Sequence, residues 1–465
     1  MIKTVFIAST EPHSGKSIIA IGLVNMLLGK AQKIGYYKPI INQTQLHKKD
    51  EHIDTMLTHF DLHMTYEDTY AFTWPDAMRQ METESQGEMI DTIIRKYKYL
   101  ESQYDFIVAE GTDYLGEGTA FEFEINVQIA KNLQAPVIIV VSGAEKTTAQ
   151  VVTAVLTAVH NFDAREIQVL AVVANKIRPE QAKDIEELLK QQVASQILLS
   201  IVQEDKRLQS PTMKEISEQL GGKVLFGQEL LANQVDNFVT GAMQVPNFLN
   251  YLSENVLIIT PGDRGDIIIC ALQANLSSSY SKVAGIILTA GFEPEGPILR
   301  LIEGLQTVVP IIAVQTGTFQ TSNIVGSIRS KITPDNGKKI RLAIDTFNKC
   351  INIPELDKRM VTFKPSGITP RMFQYQLTEW AKSSKKHIVL PEGTDERILR
   401  AAARLLSQEI VDLTILGDTT EINAILKRLD IVIDLEQIRI VNPAYDVRYD
   451  DYVNTLYELR KSKNV

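Results

Sequence analysis

The chain has 465 residues, 44% hydrophobic and 23% charged, with a net charge of −9. That length predicts two to four domains, and an acidic surface without a long Lys/Arg run argues against nucleic acid or anionic membrane as the main partner. Two isolated cysteines, Cys270 and Cys350, offer neither a metal spacing nor a disulfide framework, which fits a reducing cytoplasm, and no apolar run approaches the ~20 residues of a membrane helix.

The first ten residues, "MIKTVFIAST", read as a strand. They lack the long apolar region and small-residue cleavage site of a secretory leader. As far as Gly227, β-rich runs alternate with helical patterns: "TVFIAS", "IGYYKPI", "DFIVAEG", "APVIIVVSG", "VLAVVANK", "ILLSIV" and "KVLFG". Several are apolar at nearly every position. Strands buried on both faces with helices between them predict an α/β domain over 1–228 with a doubly wound, mostly parallel sheet. The stretch 227–255 reads as a strandless connector with some helix. A second, smaller βα series follows over 229–352, then a proline-bearing linker at 353–371. A third α/β segment spans 372–465, with strands at "HIVLPEG" and "DLTILGD".

Between the first strand and the helical pattern "SIIAIGLVNMLL" stand Gly15, Lys16 and Ser17. A phosphate loop reads G-x-x-x-x-G-K-[ST], and here Thr10 occupies the first glycine position. The context places backbone N–H groups and the positive end of a helix on an anion. Lys16 would reach a β- or γ-phosphate, and the Ser17 hydroxyl would hold Mg²⁺. The plainer alternative is a tight turn with a surface lysine. Lys38, Glu110 with Asp113, and Asn175 with Lys176 close three other strands, at the ends where such sheets place ligands.

Two further stretches have plain readings. His47, His52, His59 and His63 crowd one segment, but no zinc-protease Glu and no Cys accompany them, so they read as a solvated helix face. In "TPGDRGDIII", Gly262 suits a tight turn and Asp263 suits a helix cap, while Arg264 would pair with Asp263 or bind an anion.

Taken together, the "GKS", "KP", "AEG" and "AN" stretches resemble dethiobiotin synthetase, whose phosphate loop also has its glycine displaced. The resemblance implies that Lys38 and Glu110 line the site. It also implies that Glu110, with Asp54, binds metal and that Asn175 reads the base of ATP. "GTDYLGEG" replaces that family's glycine-rich turn. "IITPGDRGD" with "GIILTAGFEP" resembles the DRTGG domain. "TPRMFQYQLTEWAKSSKKHIVLPEGTDERILRAAARLLSQEIVDLTILGD" and "LYELRKSK" resemble the start of the phosphate acetyl/butyryltransferase domain.

This domain order is that of the long bacterial phosphate acetyltransferases. It implies acyl transfer between coenzyme A and phosphate, with Arg460 of the "ELRK" block in the active site. It also implies metabolite effectors acting on residues 1–350, and a homo-oligomer. The serine, arginine and aspartate that this family uses for charge stabilisation and thiol deprotonation would lie past Val465. The chain is therefore expected to stop inside its last domain and to be inactive alone. The alternative is an ATP-dependent ligase of the dethiobiotin synthetase type, or a nucleotide-sensing module.

Overall fold

Six strands make the first sheet: β1 (Thr4–Ser9), β2 (Ile34–Tyr37), β3 (Phe106–Glu110), β4 (Val137–Ser142), β5 (Val169–Ile177) and β6 (Leu198–Gln203). They run in the order β2-β3-β1-β4-β5-β6, every neighbouring pair parallel. All residues of β1, β3 and β4 are buried, as expected of strands with both faces covered. The structure is a computed structural model that describes residues 3–42, 49–83, 86–114, 118–306, 308–328, 330–363, 367–434 and 438–461. His47 lies outside them. No described helix is long and apolar enough to cross a membrane.

The helix α1 (Lys16–Leu28) follows β1 and is buried on nearly every side. The helix α2 (Glu51–His59) begins at Asp50, whose carboxylate accepts from the N–H groups of His52 and Ile53 at 3.0 and 3.2 Å. This is an ordinary N-cap.

The second sheet contains β7 (Lys223–Phe226), β8 (Asn237–Thr240), β9 (Val256–Pro261), β10 (Val283–Thr289) and β11 (Ile311–Ala313), in the order β8-β9-β10-β11-β7. Two expectations change here. β7 was expected in the first sheet, but it pairs antiparallel with β11, where Leu225 and Phe226 join that core. The supposedly strandless connector supplies β8, an edge strand whose first two residues are exposed, which left no buried run to read. The helix α3 (Met213–Leu220) also packs here, burying Met213 and Ile216 with Ile259 and Ile287.

The expected linker and the end of the expected second domain also fold differently. The helices α4 (Gly337–Cys350) and α5 (Ile353–Thr362) bury Ile340, Phe347, Leu356 and Met360 in the core of the first sheet, beside Val24 and Leu27 of α1. Phe347 occupies the space above Gly22, where a Cβ would come within 2.1 Å of its ring. The second sheet is thus flanked on both sides in sequence by parts of the first. Asn352 caps α5 and Pro354 stands in its first turn, so the proline that suggested a linker opens a helix.

Residues 367–465 form a separate unit. Its sheet contains β12 (Lys386–Leu390), β13 (Val411–Leu416) and β14 (Ile438–Val441), all parallel, with the middle strand buried against Leu399, Ile422 and Leu426. The short β14, "IRIV", carried too little pattern to be expected.

Candidate functional site

Gly15 ends the loop after β1 with φ 89°, a conformation that favours glycine. A Cβ there would also lie 2.1 Å from the Asn175 amide nitrogen. Among the described residues α1 has no side-chain cap, and the Ile18 N–H of its first turn donates to the Gly15 carbonyl at 3.2 Å. A cavity of about 380 Å³ opens there, lined among others by Ser14, Gly15, Lys16, Ser17 and Asp113. This volume lies in the range of ligand pockets. Ser14 is 1% exposed, and its hydroxyl has no hydrogen-bond partner among the described residues.

Beneath the cavity lies a buried charge network. Lys16 donates to the carbonyl oxygens of Gly111, at 2.7 Å, and Thr112, and its ammonium stands 3.3 Å from Asp113 Oδ1. Lys38, wholly buried, donates to Asp50 at 2.8 Å and to Asp113. The Glu110 carboxylate accepts from the Tyr36 hydroxyl at 2.6 Å and from His52 Nδ1 at 2.8 Å. Burial alone would raise the Glu110 carboxyl, but the imidazole of His52, with Lys16 and Lys38, outweighs it and holds the group at about 2. Burial would lower His52, yet the Glu110 carboxylate pushes it above its ordinary value. Asp113, despite its burial, is held well below the carboxylate range by Lys38 and Lys16. Three carboxylates (Asp50, Glu110 and Asp113) thus face two lysine side chains and the His52 imidazole within one network.

The expected site residues divide accordingly. Gly15, Lys16 and Ser17 line the cavity, while Thr10, Lys38, Glu110 and Asn175 do not. Asn175 is 2% exposed. Its amide donates to the Ser14 carbonyl at 2.8 Å, and its oxygen accepts from the Lys176 N–H at 2.9 Å. It therefore braces the loop, and it is not among the residues that line the cavity. Asp54 is also misplaced as a metal ligand, because it faces Lys49 at 3.9 Å and does not line the cavity. The described residues that group as potential metal ligands are instead His52, Glu110 and Asp113. His59 and His63 are exposed, as expected of a solvated face.

The sequence reading missed Asp50 and counted His52 with a solvated helix face, whereas it turns inward to Glu110. The capping position of Asp50 before an amphipathic helix was their one available signal. It also missed the wall formed by Ser330, Lys331 and Ile332.

In the second sheet, Asp263 does not cap its helix. Arg264 takes the N-cap position and pairs with Asp266 at 2.8 Å, while also donating to the Met243 carbonyl at 3.1 Å. Gly262 is required by close approach, since a Cβ would meet the Phe292 carbonyl oxygen at 1.9 Å. In the last unit, Arg460 ends the helix Tyr449–Arg460, whose side chains are all exposed.

Three family models match in sequence order: an AAA domain over residues 3–212, a DRTGG domain over 215–328, and a phosphate acetyl/butaryl transferase domain over 372–465. Phosphate acetyltransferase from Nitratidesulfovibrio vulgaris is 38% identical over 100% of this chain and 66% of its own length. That from Synechocystis sp. is 37% identical over 100% of this chain and 67% of its own. The chain thus spans about two thirds of the length of the curated relatives it matches. The expectations of truncation within a domain and of inactivity alone gain no support from these matches, which run along the whole chain. Among solved structures, the ATP complex of a Cyanothece McdA variant has a TM-score of 0.30 at 13% identity, covering 44% of this chain and 85% of that one. MinD from Aquifex aeolicus gives 0.29 at 13%, covering 44% and 84%. On its likeness to the Synechocystis relative along its full length, the chain belongs to the phosphate acetyltransferase family.

Proposed function

We propose that the chain serves acetyl transfer between coenzyme A and phosphate. A phosphate oxygen attacks the thioester carbonyl of acetyl-CoA, the C–S bond breaks, and acetyl phosphate and coenzyme A leave, the thiolate taking a proton. The observation that carries this reading is the whole-chain match to phosphate acetyltransferases, with the transferase domain at 372–465. Arg460, exposed in that domain, is proposed to hold an anionic group of the phosphate or the coenzyme. Thiol release from acetyl-CoA should require both phosphate and this polypeptide, and should fall with Arg460→Ala. No phosphate-dependent release by the folded chain would overturn the reading for this polypeptide. A cytoplasmic homo-oligomer that answers to metabolites belongs to the same proposal, and sedimentation with and without candidate effectors tests it.

A second reading concerns the first domain. We propose that its cavity binds a phosphate-bearing nucleotide with Mg²⁺, regulating rather than performing the transfer. The unpartnered Ser14 hydroxyl and the open N-terminus of α1 support it. Ser17 and Asp113 line the same cavity and are suited to a phosphate-bound Mg²⁺. Calorimetry with ATP·Mg²⁺ should show binding that Lys16→Ala loses, and equal binding by both would overturn it. A ligase of the dethiobiotin synthetase type would use the same cavity, but the whole-chain match favours acyl transfer.

A further inference from the structure

One wall of the cavity comes from far along the chain. Ser330, Lys331 and Ile332 lie between the last helix of the second sheet, Thr318–Ser327, and α4. Their backbone is pinned on two sides. The Thr55 hydroxyl of α2 donates to the Ile332 carbonyl at 3.0 Å. Glu215 of α3 accepts from the Lys331 N–H at 3.3 Å and from the Ser330 hydroxyl at 2.6 Å. The root of the Lys331 side chain is therefore fixed at the cavity mouth. Its ammonium lies 3.0 Å from Glu51 Oε2, in the first turn of α2, and both residues line the cavity that the N-terminus of α1 also lines.

We propose that Lys331 is a specificity residue of this cavity, leaving Glu51 to meet the outer phosphates of a nucleoside triphosphate or another polyphosphate held at the N-terminus of α1. The inference rests on the nucleotide reading of the cavity and adds to it which ligands are preferred. Three observations carry it. The cavity spans from the loop to Lys331, more space than a single orthophosphate fills. The buried Ser14 hydroxyl, without a partner among the described residues, belongs to a residue that lines it. Lys16 and Lys38 are already engaged by Asp50, Glu110 and Asp113, so the additional charge of a polyphosphate has to be met by the other lysines that line the cavity, Lys331 among them with Lys49 and Lys176.

At the cavity mouth the exchange is easy. Lys331 is 55% exposed and Glu51 25%. A pair with one well-exposed partner contributes little, whereas charge-assisted contacts to phosphate are stronger. Because Glu215 holds the same segment, a ligand that engages Lys331 also bears on the second sheet.

The test is calorimetry on the full chain with Mg²⁺ and, in turn, ATP, tripolyphosphate, AMP and orthophosphate. The proteins are wild type, Lys331→Ala, Lys331→Arg and Glu51→Gln, each first shown to melt cooperatively. Lys331→Ala should weaken ATP and tripolyphosphate roughly tenfold and leave AMP and orthophosphate unchanged. Lys331→Arg should restore most of the loss, and Glu51→Gln should tighten ATP. Wild-type affinity of Lys331→Ala for ATP overturns the assignment of Lys331 while the nucleotide reading stands. An equal loss for all four ligands also overturns it, as damage to the cavity in general. Wild-type protein that binds none of them overturns both readings.

Discussion

The Asn175 amide nitrogen donates to the Ser14 carbonyl oxygen at 2.8 Å, and the same nitrogen would stand 2.1 Å from a methyl group on Gly15. A side chain on β5 thus sets the shape of the loop after β1. Asn175→Ala leaves a buried carbonyl unpaired, which should cost about 1–3 kcal/mol. Gly15→Ala adds a clash to an unfavourable φ. Both should lower the melting temperature and weaken ATP·Mg²⁺ binding, Gly15→Ala the more. Full ATP affinity in Gly15→Ala would contradict the account of the loop.

The Glu110–His52 pair predicts a two-sided pH profile. Glu110 sits at about 2 against an ordinary 4.5, so its contribution is complete above pH 4.5 and is lost as pH falls toward 2. His52 is raised above 6.5, so its contribution is complete below 6.5 and is lost as pH rises through the raised value. Glu110→Gln should cost about 3–5 kcal/mol at neutral pH, because it strands buried cations. The His52 titration, followed by NMR, should then move downward. An unmoved titration would show that Glu110 is not its partner.

Lys339, fully buried on α4, donates to the Ser330 hydroxyl, and burial pushes its ammonium down to about 8 from 10.5. Between those values the unfolded chain binds the extra proton, so stability should rise with pH across that window. Lys339→Met should abolish the rise and be neutral or stabilising at pH 7. Denaturant midpoints at pH 7 and pH 10 decide it, and the same slope in the variant would refute it.

Phe347 over Gly22 makes α4 part of the first domain's core. Phe347→Ala should destabilise the unfolding transition of that domain by about 3–5 kcal/mol. A change below 1 kcal/mol in denaturant unfolding would mean that α4 is peripheral.

What the sequence disclosed was local. The strand "TVFIAS" followed by Gly15-Lys16-Ser17 announces itself because strand, loop and helix are adjacent, and "APVIIVVSG" because burial on both faces leaves no polar position. The charge network was only half legible. Lys38 and Glu110 close strands, but the partners Asp50 and His52 lie in a helix cap that carries no motif. The helix α5 was masked by prolines, although Leu356 and Met360 stand four apart on its buried face. Asn175 was assigned to a base, whereas its contact with Ser14, set by the neighbouring strand, has no trace in spacing. Lys331 was out of reach for the same reason, its segment being distant in sequence from the loop and helix that form the rest of its cavity.

The packing of Phe347 on Gly22 bears on the order of events during synthesis. The groove over Gly22 is complete when roughly 300 further residues have been made, which at ~5–20 residues per second is on the order of half a minute. Through that interval the face of α1 that α4 covers lacks that cover, although its other face can already pack on the first sheet, while the second sheet, continuous in sequence, can close as soon as it emerges. The nascent chain is therefore expected to present its earliest helix to chaperones longest. Variants that slow translation between the two residues should lower soluble yield more than equally slow stretches placed after residue 362.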